Sequence, residues 1–210
     1  MNAGAERARA RMVARQLRRR GISDERVLDA MGRVPREAFV PAPLAGHAYD
    51  DAALPIGEGQ TISQPYIVAA MCELLELDGS EHVLDVGTGS GYAAAVLDEL
   101  AADVVSIEVV PALAARAREA LDATGHARVE VRIGDGRLGA PDRSPFAAVA
   151  VAAATPVVPP ALLEQLAVGG RLVAPLGGQG GQRLVRLAKT PEGVVETSSL
   201  ACRFVPLVRG

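Results

Sequence analysis

Apolar positions along this chain follow two periods. In the first third they recur at helical spacing. Met12, Val13, Leu17 and Ile22 give one inward face to a helix over 6–20, and Gly21 ends it. Ser23 is placed to cap the next helix, Asp24 and Glu25 favour its positive end, and Val27, Leu28 and Met31 supply its apolar stripe. Pro35, Pro41 and Pro43 predict an extended, irregular path through PREAFVPAP. The stretch 49–64 also reads as irregular, with turns around Pro55, Gly57 and Gly59. A helix resumes at Pro65, which suits a first turn, and buries Val68, Met71, Leu74 and Leu75.

From Glu81 onward the period changes. Short apolar runs at 83–86, 104–107, 129–133, 147–151 and 172–175 suit strands, and helical candidates lie between them at 92–100, 112–124 and 160–166. That alternation predicts a parallel sheet covered on both faces. The runs 184–188 and 204–207 have no crossover helix between them and predict an antiparallel pair at the sheet edge, while 177–181 predicts a flexible glycine turn. The expected fold is α/β: a doubly wound, Rossmann-like sheet with an N-terminal helical elaboration and a C-terminal antiparallel strand pair. One domain is expected over 1–210, with 1–78 as the elaboration and 79–210 as a cofactor-binding core.

Charge and composition narrow the function classes. The 210 residues carry a formal net charge of −3, which gives no general attraction to nucleic acid or anionic membrane. Arg7, Arg9, Arg11, Arg15, Arg18, Arg19 and Arg20 face only Glu6 nearby, but no aromatic residues interleave them, so a solvated helix face is expected. Cys72 and Cys202 fit free buried thiols in a reducing compartment. No apolar stretch of spanning length is free of charges or turn signals, and no signal-peptide core follows the arginine-rich start. A cytoplasmic, monomeric protein is the expectation, with no nucleic-acid, membrane or metal partner. His47, His82 and His126 lack the neighbours of a metal or triad motif.

The candidate chemistry begins at VLDVGTGSGY, residues 83–92. Gly87 and Gly89 allow a sharp turn and close approach of a ligand, and N–H groups at the start of the next helix can receive an anion. Thr88 and Ser90 lie within this loop. Asp85 can accept from an ammonium or hydroxyl group. Glu108, ending VVSIE, can hold two ribose hydroxyls, and Asp135 with Gly136, in IGDG, can engage an adenine amine. GTGSG alone is a weak motif, and a dinucleotide fold stays open, although Gly91 departs from GxGxxG. Three acids at successive strand ends match amino, ribose and base groups along one crevice.

The chain resembles the protein-L-isoaspartate O-methyltransferases, a family of S-adenosylmethionine-dependent enzymes. The similarity runs from about Met12 to Leu207 through MVARQLRRRGI, VLDAMGRVPREAFVP, GQTISQPYIVA, VLDVGTGSGY, IGDGRLG and RFVPL. GQTISQPYIVA is its most specific part. The resemblance implies that Gln64, Asp85, Gly87, Thr88, Gly89, Ser90, Glu108, Asp135 and Gly136 bind S-adenosyl-L-methionine. It implies that Thr61 and Ser63 serve methyl transfer, and that Ile62, Val205 and Pro206 hold the substrate. Ala140, Ala147, Ala152 and Val109 depart from the family pattern, with Ala147 standing where an acid is usual.

The implied acceptor is the free α-carboxylate of an L-isoaspartyl residue in damaged proteins and peptides. A carboxylate with a pKa near ~4 is ionised at neutral pH, so the TISQ loop needs no strong base. Esterification is then followed by spontaneous succinimide formation and hydrolysis, with S-adenosyl-L-homocysteine as the cofactor product. Two alternatives stay open: a carboxyl methyltransferase for one dedicated peptide, and a catalytically silent cofactor-binding domain.

Overall fold

The computed structural model describes residues 3–178 and 181–208, apart from the side chains of Ser198 and Ser199. Helix α1 (Ala3–Met12) runs on through a π turn at Val13–Leu17 and a 3-10 turn at Arg18–Arg20, and Gly21 ends it with φ +99°. Helix α2 (Glu25–Arg33) is capped by Asp24 rather than by Ser23: the Asp24 carboxylate accepts from the N–H groups of Arg26 and Val27. The physical reason lies in a third element. The Glu73 carboxylate accepts from both Ser23 N–H at 2.7 Å and Asp24 N–H at 2.9 Å, which occupies Ser23 one position too early to cap.

The proline-rich stretch folds as two 3-10 turns, Arg36–Phe39 and Ala42–His47, rather than as extended chain. The region read as irregular contains a small hairpin, β1 (Leu54–Gly57) with β2 (Gln60–Ile62), and helix α3 (Pro65–Leu75) follows with Pro65 in its first turn.

The main sheet takes five parallel strands, β3 (His82–Val86), β4 (Asp103–Glu108), β5 (Glu130–Ile133), β6 (Phe146–Val151) and β7 (Leu166–Gly178), with α4 (Tyr92–Asp98), α5 (Pro111–Ala123) and α6 (Pro160–Glu164) as crossovers. Antiparallel strands β8 (Gly181–Thr190) and β9 (Gly193–Cys202) extend it, in the order β5-β4-β3-β6-β7-β8-β9. The expected C-terminal strand at 204–207 is not one. β9 already occupies the free edge of β8, and 204–207 instead lies against the chain after β6, with Ala154 N–H donating to Val205 C=O and Leu207 N–H to Ala154 C=O. β7 runs far beyond 172–175 because its ladder with β8 continues to Gly178↔Gly181. Of the glycine turn expected at 177–181, residues 179 and 180 lie outside the described residues.

Alternation along the strands divides the apolar residues between two faces. Val83, Val104, Ala148, Ala150 and Val173 join a core with the N-terminal helices, α3 and α4. Leu84, Val86, Val105, Ile107, Val149 and Val151 pack on the opposite side with Leu162 of α6. The order of connection reverses at β3, so β4 and β6 leave it in opposite directions and open a crevice at their carboxyl ends. Cys72 and Cys202 are both free, Cys72 buried and Cys202 half-buried. Among the described residues, no helix is long and apolar enough to cross a membrane.

Candidate active site

The crevice begins where β3 ends. Gly87 turns at φ +96°, and the N–H groups of Gly87 and Thr88 donate to the Ile107 carbonyl at 2.8 and 3.2 Å, which pins the loop to the end of β4. Glu108 holds the same loop from its side chain: one carboxylate oxygen accepts from Gly89 N–H at 2.7 Å and the other from Val110 N–H at 2.9 Å. Gly136 comes so close behind that a Cβ there would lie 2.5 Å from Val86 Cγ1. Val86, Gly87, Gly89, Ile107, Glu108, Val109, Gly136 and Ala152 therefore line one slot at four successive strand ends.

Asp85 lies under this slot with no exposed surface. Ser106 Oγ donates to its Oδ2 at 2.6 Å, and Thr88 Oγ1 lies 2.5 Å from Ser106 Oγ. Oδ1 is buried without a partner among the described residues. Burial pushes the Asp85 carboxyl up to about 6, with Glu108 adding to the rise and the Ser106 hydroxyl opposing it. A buried carboxylate with one unmet oxygen, next in the chain to slot-lining Val86, fits a cationic ligand. A second acid at the next strand end suits a diol.

A wider groove of 710 Å³ adjoins the slot. Thr61, Ala152, Val205 and Pro206 line both, so they form the boundary between the two spaces. The β1–β2 hairpin delivers Thr61 to that boundary, and Ser63 follows it into the groove. Across from them, the Gln182 side-chain amide grips Phe204, accepting from its N–H at 2.6 Å and donating to its C=O at 3.1 Å. Arg20 stacks 3.7 Å over the Tyr66 ring and pairs with Asp51 at 2.8 Å, giving the groove a polar end.

The residues singled out from sequence fall into distinct places. Gly87, Gly89, Glu108 and Gly136 line the slot, with Asp85 and Thr88 buried beneath it. Thr61, Val205 and Pro206 sit on the boundary. Ser63 and Gln64 line the groove, and Gln64 Nε2 donates to Asp51 Oδ1 at 2.8 Å rather than reaching the slot. Ile62 is buried behind the boundary. Ser90 accepts from Tyr92 N–H and lines a separate hollow beside Phe39. Asp135 caps the turn after β5 by accepting from Arg137 N–H, and its carboxylate is ion-paired with the Arg137 side chain. Among the described residues, no group of three or more His, Cys, Asp or Glu side chains is arranged to hold a metal.

Sequence reading missed Arg36. It is fully buried, its Nε donates to Ala48 C=O at 2.7 Å, and its Nη2 donates to Ser63 C=O at 2.8 Å. A lone arginine in a proline-rich stretch gave no periodic signal that it would turn inward.

A doubly wound sheet with a glycine slot, acids at successive strand ends and an adjoining groove is the arrangement of a Rossmann-like S-adenosylmethionine-dependent methyltransferase. The family model for protein-L-isoaspartate(D-aspartate) O-methyltransferase matches residues 8–210, and the chain belongs to that family. Among similar proteins, protein-L-isoaspartate O-methyltransferase 2 of Marinobacter nauticus is 57% identical over 95% of this chain and 92% of its own length. Protein-L-isoaspartate O-methyltransferase of Methanoculleus marisnigri is 55% identical over 96% and 92%. A solved protein-L-isoaspartate O-methyltransferase superposes with a TM-score of 0.84 at 29% identity; the match covers 94% of this chain and 65% of that one. A Plasmodium falciparum structure assigned to the same enzyme, in complex with S-adenosyl-L-homocysteine, shares the fold with a TM-score of 0.83 at 24% identity over 96% and 99% of the two chains.

Proposed function

We propose that this protein methylates the free α-carboxylate of L-isoaspartyl residues in damaged proteins and peptides, with the acceptor entering the groove at Ser63 and the cofactor occupying the slot. The observation that carries the reading is the shared boundary: Thr61, Ala152, Val205 and Pro206 face both spaces, so a group in one can meet a group in the other. When bound, S-adenosyl-L-methionine supplies an electrophilic methyl on a cationic sulfur.

The chain's own residues have four tasks. Asp85 offers its unmet oxygen to a cation, and Glu108 accepts from a diol while keeping the glycine loop in place. Ser63, whose hydroxyl has no hydrogen-bond partner among the described residues, donates to one acceptor oxygen and leaves the other free to attack. Thr61 orients the acceptor at the boundary. Backbone around Val205 and Pro206 holds the acceptor's main chain, so diverse damaged sequences are accepted with little demand on side chains. No group here has to remove a proton, because the acceptor is already ionised at neutral pH. The sparse polar lining also avoids overstabilising the anion before it reacts.

The same reading treats 1–78 as the substrate-side elaboration and 79–210 as the cofactor core. It also has the protein acting as a cytoplasmic monomer, which light scattering on a sizing column checks. The chemistry is tested by incubating the protein with an isoaspartyl peptide and methyl-labelled cofactor, then raising the pH. Release of labelled methanol is expected, because a methyl ester is base-labile; label that stays on the peptide overturns carboxyl methylation.

A further inference from the structure

Arg36 is the largest fully buried side chain among the described residues, and no carboxylate of a described residue lies within ion-pair distance of it. Its guanidinium contacts two carbonyls and the Tyr92 ring, whose centroid lies 4.8 Å from Cζ, while Nη1 has no partner among the described residues. Burial works against its charge, so the ionised form is held at a cost. A structural clamp does not need that cost, because a neutral donor also bonds a carbonyl.

The placement of this cation is specific. Tyr92 opens the helix that follows the glycine loop, and Ser63 belongs to the loop that lines the acceptor groove. Arg36 thus lies behind both loops, one hydrogen bond from the backbone of Ser63. We infer that Arg36 is a positioning residue whose uncompensated buried charge is balanced by the substrate's carboxylate in the groove, acting through the Ser63 backbone. This rests on the carboxyl-methylation reading and adds to it a source of preference for an anion that lies outside the groove lining. Arg20 and Arg203 line the groove itself, with Arg20 already paired to Asp51, and Arg36 adds from behind the Ser63 loop a charge that no carboxylate of a described residue neutralises. Polarising the Ser63 peptide also leaves both carboxylate oxygens accessible from the groove side.

The test compares two peptides differing only in the isoaspartyl α-group, one a carboxylate and one a carboxamide, bound to the protein in the presence of S-adenosyl-L-homocysteine. In the wild type the carboxylate is expected to bind more tightly by about fivefold or more. In Arg36→Gln that ratio falls by about threefold or more while carboxamide affinity is unchanged, and Arg36→Lys restores most of it. A loss of both affinities together in Arg36→Gln, or a ratio that stays at its wild-type value, overturns the electrostatic role. If Arg36→Gln does not fold, 13C NMR of the labelled bound carboxyl group decides, read in an Arg20→Gln, Arg203→Gln double variant so that Arg36 is the arginine left beside the groove. A bound pKa below that of the free peptide supports the inference, since desolvation alone raises it, and a pKa above it contradicts it. A wild type that binds isoaspartyl and aspartyl peptides equally sinks the repair reading, which is a different result from an unchanged carboxylate-to-carboxamide ratio.

Discussion

Asp85 shows how one buried side chain links stability to ligand binding. In an unfolded chain an aspartate titrates near ~3.9, whereas in the fold burial holds Asp85 at about 6. Between those values the folded state binds more protons than the unfolded one. The ligand-free protein therefore loses stability as pH rises from about 4 to about 6, by on the order of 3 kcal/mol from this group, and the contribution is flat above that window. Urea unfolding across that range should show the slope, and Asp85→Asn should remove it. Binding of a cation at the unmet oxygen requires the ionised form, so affinity for S-adenosyl-L-homocysteine should fall below about pH 6 in the wild type and less so in Asp85→Asn. Ser63 lines the other space. Ser63→Ala should slow methyl transfer at saturating peptide by about tenfold or more while leaving calorimetric affinity for S-adenosyl-L-homocysteine unchanged; equal turnover would remove Ser63 from the chemistry. Residue types alone made Asp85, Glu108 and the glycines legible. Asp135 was legible by type and position, but its ion pair with Arg137 was not, because a contact across two residues of a turn depends on backbone direction.

At the scale of elements, α6 spans only Pro160–Glu164 and leaves its last carbonyls without helical partners. Lys189 of β8 serves two of them, its Nζ donating to Leu163 C=O at 2.7 Å and to Glu164 C=O at 3.3 Å, and it also donates to Leu166 C=O of β7 at 2.6 Å. Lys189→Met should cost about 1–2 kcal/mol of unfolding free energy, seen in urea melts, with turnover at low temperature unchanged because α6 lies away from the groove. The inner strands were readable because both their faces are buried, which demands continuous apolar runs such as VVSIE and FAAVAV. β9 was not. Its residues GVVETSSLAC mix polar and apolar side chains as an edge strand permits, and Val194 and Val195 stay exposed. The β1–β2 hairpin was half hidden: its turn falls at Gly57–Gly59, where the glycines announced one, but its strands of four and three residues are too short to show an alternating pattern. The capping of α2 by Asp24 in place of Ser23 depended on Glu73, fifty positions from Ser23 in the chain.

In the whole molecule, the two apolar faces of one sheet do different work. The side bearing α6 closes the core behind the slot, while the other joins the N-terminal helices to the sheet and so fixes the loop of Ser63 relative to the glycine loop. The site lies along that seam, which explains why GTGSG pointed to a cofactor but the acceptor was legible only through GQTISQPYIVA. The central claim is selectivity for the isoaspartyl linkage at this seam, and one competition measures it. Matched isoaspartyl and aspartyl forms of the same peptide, mixed in one tube with limiting protein and labelled cofactor, are separated and counted. The account predicts label almost entirely on the isoaspartyl form; equal label on both would contradict it.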